Sequence, residues 1–141
     1  MRYRLAALLT TASLGATGIA PADPLRVALP DPCSGSGVSI DDFMVWDGAG
    51  TADVPVRADQ ACQYDREITF QTYDLTAKDG EDYVGKSGTL LLPAGSTVAK
   101  IQVLIIRSVQ PEPPEKFGIQ LLDGATFTDP DGEVTIYYQQ N

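Results

Sequence analysis

In run after run of this chain, apolar or β-branched residues recur at every second position: Val54 and Val56; Ile68, Phe70 and Thr72; Ile101, Val103 and Ile105; Phe117, Ile119 and Leu121; Val134, Ile136 and Tyr138. A spacing of two gives an extended strand one buried side and one wet side, whereas a helix needs spacings of three and four. No window of the chain sustains the helical pattern. The runs are short and lie between Asp47-Gly48, Asp79-Gly80, Pro93-Ala94-Gly95, Asp123-Gly124 and Asp131-Gly132, which are turn-forming pairs and triplets. Many short strands between such turns predict an all-β, antiparallel sandwich of about seven or eight strands. They are expected near 38–46, 51–57, 67–74, 89–92, 98–106, 115–122 and 133–138, with 89–92 and 98–106 forming a hairpin around Pro93 to Gly95. The expected core is Val54, Val56, Ile68, Phe70, Ile101, Val103, Phe117, Ile119, Val134 and Ile136.

The first residues carry an address. Arg2 and Arg4 precede an uncharged stretch from Leu5 to Ala20, and Ala20-Pro21-Ala22 supplies small residues where a signal peptidase reads. The stretch is short and diluted by Thr, Ser and Gly, whereas a membrane-spanning helix needs about 20 predominantly apolar residues. The expected organisation is a signal peptide over 1–22, a Pro/Gly/Ser-rich lead-in over 23–37 and one β-sandwich domain over 38–141. The product is expected to be secreted or periplasmic, with no membrane span after processing. A lipid anchor on Cys33 is not expected, because Pro32 precedes it where a small residue is required. In an oxidising compartment Cys33 and Cys62 are expected to pair, which for a loop of this size contributes ~3 to 4 kcal/mol in the chain-entropy account. A reactive thiol or thiolate metal site would want a second cysteine pair or a nearby histidine.

Charge and composition remove whole classes of function. With 0 His, catalysis by an imidazole base and the commonest zinc sites are out. With 19 Asp and Glu against 10 Lys and Arg, for a net charge of -9, there is no basic cluster for nucleic acid. Basic proteins, cations and neutral ligands remain as partners. A carboxylate-dependent hydrolase is the remote alternative, but Glu112 and Glu115 flank prolines in a short loop and a single small domain has little room for a substrate groove. No catalytic activity is expected.

Several stretches, taken in order, carry a resemblance: Thr76-Ala77-Lys78-Asp79-Gly80-Glu81-Asp82-Tyr83, then Ser87-Gly88-Thr89-Leu90, Leu92-Pro93-Ala94-Gly95 and Ile101-Gln102-Val103, followed by Glu112, Glu115, Phe117, Leu121, Asp131-Gly132 and Thr135-Ile136. Together they resemble a Calx-beta domain over about 38–138. The resemblance implies an immunoglobulin-like Greek key of about seven strands. It implies either a calcium site built from carboxylates at one end or an adhesive or structural spacer. By the family pattern, Asp47, Asp82, Glu112 and Glu115 are the candidate calcium ligands. Ser108 stands where an Asp is usual, Pro114 replaces another frequent acid and Arg107 adds positive charge, so the implied site is depleted and weak. The other reading of these acids is a solvated loop surface.

The physical reading of the same motifs is simpler. Tyr83 packs inward while Glu81 and Asp82 stay wet, and Asp79-Gly80 makes a turn. On strand 98–106, Leu104 and Ile106 point away from Ile101, Val103 and Ile105, an apolar face suited to a protein or envelope partner, with Tyr137 and Leu122 as its neighbours. Trp46 is expected at the core or its rim. The function expected is a secreted, non-catalytic module for binding, adhesion or structure, with the calcium-binding module as the alternative.

Overall fold

The computed structural model describes Cys33 and residues 36–140. The expected signal peptide and nearly all of the expected lead-in lie outside the described residues. The strands are β1 (Gly37–Ile40), β2 (Phe43–Trp46), β3 (Thr51–Ala58), β4 (Arg66–Asp74), β5 (Ser87–Leu92), β6 (Val98–Leu104), β7 (Glu115–Asp123), β8 (Thr126–Asp129) and β9 (Asp131–Tyr137). One sheet runs β2-β9-β7-β4-β5 and the other β6-β3-β1-β8. Among the described residues the only helix is one short 3-10 turn, Asp47–Ala49. The molecule is the all-β sandwich that the alternation predicts. Pairing is antiparallel except at two places, where β9 runs parallel to β2 and β1 parallel to β8.

All ten expected core residues are buried, joined by Val38, Ile40, Tyr83, Leu92 and Leu121. Apart from Tyr83, which lies in the β4–β5 connection, each comes from the inward side of a strand, so apolar burial at ~25 cal/mol per Å² is gathered from both sheets into one layer.

Two expectations about connection are corrected. Residues 38–46 are two strands in different sheets. The sequence marks the break: the inward residues are Val38 and Ile40 before it and Phe43 and Val45 after it, a change from even to odd. Adjacent aspartates hand the chain across. Asp41 pairs with Arg57 of β3 at 2.8 Å, and Asp42 Oδ1 accepts the Glu133 N–H of β9 at 2.9 Å. The crossing runs close against β9, since a Cβ on Gly132 would lie 2.8 Å from the Asp41 carbonyl oxygen. The second correction concerns 89–92 and 98–106, which do not form a hairpin. β5 pairs with β4 and β6 with β3, because the corner between them bonds elsewhere: Ala94 N–H donates to Asp65 and Gly95 N–H to the Cys62 carbonyl, each at 2.8 Å. The additional strand β8 follows a glycine turn at Gly124.

Cys33 and Cys62 form a disulfide across 29 positions. It ties the segment before β1 to the β3–β4 connection, whose own carbonyl holds the β5–β6 corner.

Candidate metal centre

Tyr83 organises one end of the sandwich. Its side chain is buried and its ring stacks on Phe117, centroids 4.0 Å apart. The hydroxyl donates to Asp74 Oδ1 at 2.5 Å, and the same oxygen accepts the Asp79 N–H at 2.9 Å. These bonds favour the ionised carboxylate, so the Tyr83 hydroxyl first and the Asp79 N–H second hold the Asp74 carboxyl below its usual range. Burial, then the hydrogen bond to Asp74 and after it the Asp74 charge, push the Tyr83 phenol well above its ordinary value.

With the ring drawn inward, the preceding acids stay at the rim. The turn that allows this has Gly80 at φ 87°, a left-handed conformation that glycine takes without strain. Asp82 closes it, its N–H donating to the Lys78 carbonyl at 2.9 Å and its Oδ2 accepting the Lys78 N–H at 2.8 Å. Glu115 arrives from another direction as the first residue of β7, and Glu112 from the proline-rich loop before it.

One carboxylate oxygen each from Asp82, Glu112 and Glu115 lies within 4.8 Å of the others. The Glu115 carboxyl is raised above its usual range, by loss of hydration first, then by the Asp82 carboxylate, then by Glu112 and Glu81. Every charged neighbour in that account is an acid, so the cluster is a knot of mutually repelling charge. A hard cation with oxygen preference relieves such repulsion. Calcium takes about six to eight oxygens, and one oxygen from each of three carboxylates falls short of that number, leaving water, backbone carbonyls or second carboxylate oxygens to complete it.

The sequence pattern placed four ligands here, and the structure gathers three. Asp47 is 3% exposed and lies outside that group of three. Its Oδ2 accepts the Ser108 N–H at 3.0 Å and its Oδ1 the Gln139 N–H at 2.9 Å, so it clamps the loop before β7 and the C-terminal tail together. Ser108, where the family pattern has an acid, turns its hydroxyl to the Gln110 carbonyl at 2.7 Å. Sequence reasoning missed Asp74, which lies at the end of β4 with no spacing that ties it to Tyr83, and the contribution of Glu81 to the field at Glu115.

The expected apolar face is also redistributed. Leu104 is 55% exposed on β6 and Ile106 is half-buried, while Leu122 and Tyr137 belong to the other sheet. The neighbour of Leu104 is Val84, whose N–H donates to the Leu104 carbonyl at 2.9 Å. Among the described residues no helix is long and apolar enough to cross a membrane.

The profile of the Calx-beta domain matches residues 35–137. A segment of the Adhesion G-protein coupled receptor V1 of Danio rerio is 39% identical over 62 residues, which is 44% of this chain and only 1% of the receptor's length. The apo form of the Calx CBD1 domain superposes with a TM-score of 0.66 at 21% identity, over 74% of this chain and 98% of that one. The calcium binding domain CBD12 of CALX1.1 gives a TM-score of 0.66 at 22% identity, over 72% of this chain and 44% of its own. At these identities the solved structures speak for the shared sandwich. With the profile spanning most of the sequence, this chain belongs to the Calx-beta domain family.

Proposed function

We propose that this chain is an exported, non-catalytic binding module of 38–141 behind a signal peptide of 1–22 and a lead-in of 23–37. In this reading it works in adhesion or as a structural element, and its acidic end holds calcium weakly. The observation that carries the calcium reading is the convergence of Asp82, Glu112 and Glu115 within 4.8 Å. The raised Glu115 carboxyl supports it: loss of hydration raises it first and the neighbouring acids next, and a bound dication would offset the share that those acids contribute. The match to part of an adhesion receptor and the likeness to a calcium binding domain point the same way.

The affinity belongs in the range of extracellular modules, ~0.1 to 1 mM, because few charged ligands are assembled. The test is a thermal melt in calcium against chelator. A ligand that binds only the folded state stabilises it by RT ln(1 + [L]/Kd), about 1.4 kcal/mol at ten times Kd. Asp82→Asn and Glu115→Gln should each abolish most of that gain. A wild-type melt unmoved by several times ~1 mM calcium would remove the metal from the reading and leave the binding module.

A further inference from the structure

Beside the acid cluster lies a groove of about 440 Å³ lined by Trp46, Glu112, Pro114, Tyr137, Tyr138 and Gln140. Trp46 and Tyr137 are register partners across the parallel β2–β9 pairing, their ring centroids 5.6 Å apart and their planes 56° to one another. β2 is an edge strand whose outward positions hold Met44 and Trp46, 69% and 56% exposed. Edges of this kind ordinarily carry Lys, Glu or Pro on their outward side to discourage contact. Here, among the described residues, the outward side carries Met44 and Trp46, with no Lys, Glu or Pro in the strand.

Charge chooses among occupants. Among the described residues Glu112 is the one charged residue lining the groove, and it also belongs to the acid cluster at Glu115. A second copy docked about a two-fold axis would bring a second Glu112 and, with 19 acidic residues against 10 basic in the full chain, another strongly negative surface against the first. A neutral apolar segment would leave the carboxylate without a partner as the groove lost water. A guanidinium satisfies both features. It is planar, weakly hydrated, stacks on aromatic faces and presents a fork of donors to a carboxylate, which an ammonium does less well.

We propose that this groove receives an arginine side chain from a basic segment of a protein partner, stacked against Trp46 and Tyr137 and paired with Glu112. The juxtaposition of the Trp46 and Tyr137 rings with one carboxylate is what selects the cation.

Trp46 is the only tryptophan in the chain, so its fluorescence reports the groove directly. The mature protein, in chelator so that calcium at the cluster plays no part, is titrated with penta-arginine amide, its citrulline counterpart and a neutral glucan oligosaccharide. The arginine peptide should shift the Trp46 emission and bind on the order of tenfold tighter than the citrulline peptide, with affinity falling as salt is added. Glu112→Gln should weaken it about threefold to tenfold. Trp46→Ala, followed by calorimetry, should weaken it by roughly fivefold. Trp46 is exposed, so this variant should keep the wild-type circular dichroism, and Tyr137→Leu provides an independent removal of a ring face. Equal binding of the arginine and citrulline peptides, preference for the oligosaccharide, or arginine binding undiminished by all three substitutions would each overturn the proposal.

Discussion

Replacing Asp47 separates a structural clamp from a metal ligand. Its two oxygens accept the Ser108 and Gln139 N–H groups at 3.0 and 2.9 Å, joining segments 61 and 92 positions away, and the side chain is buried. A hydrogen bond to a charged group is worth about 1.5 to 3 kcal/mol. Ser108 is half-buried and Gln139 exposed, so both freed N–H groups can turn to water, which places each loss at the lower limit. Asp47→Ala should therefore cost about 3 kcal/mol and Asp47→Asn, which keeps one acceptor, about half that. For a domain of this size such a loss lowers the melting temperature by roughly 10 to 20 °C. Urea denaturation in chelator gives the free energy, and hydrogen exchange should show the Ser108 and Gln139 amides losing protection before the strands do. The clamp reasoning fails if Asp47→Ala matches wild type within ~0.5 kcal/mol in chelator and differs only in calcium. That outcome would return Asp47 to the metal.

Replacing Cys33 and Cys62 together by Ser should lower stability by about 2 to 4 kcal/mol with an unchanged strand spectrum, whereas two free thiols in exported protein would refute the pairing. The Glu115 carboxyl titrates higher folded than its ordinary 4.5. The folded chain therefore binds its proton more tightly, and its share of stability is full at low pH and falls as pH rises through the folded value. Glu115→Gln should flatten that fall in chelator, and a variant profile as steep as wild type would contradict it. Gly124 sits at φ 107° with a Cβ position only 2.0 Å from the Glu67 carbonyl oxygen, so Gly124→Ala should destabilise by at least ~1 to 3 kcal/mol in a thermal melt. A neutral effect there would mean that the β7–β8 turn rearranges freely.

Period-two alternation was enough to place Ile101 and Val103 or Phe117 and Ile119 in a core, because the pleat of a strand makes facing a local property. The family pattern named Asp82, Glu112 and Glu115 one by one as carboxylates of one end, and the structure brings those three close together. Which sheet a strand joins is not local. The hydrogen-bonding needs of 93–95 met by Asp65 and Cys62, and those of 41–42 met by β3 and β9, decided that β5 and β6 part and that 38–46 splits. Long-range pairing likewise made Asp47 a clamp for residues 61 and 92 positions away and set Trp46 beside Tyr137 in a groove that Glu112 also lines. By itself the sequence determined which side of each strand is apolar and which residues can carry charge. Only the tertiary structure decided which of those charges meet, because an aspartate's role depends on whether a backbone N–H or another carboxylate lies within hydrogen-bond reach, and that follows from chain crossings no short window contains.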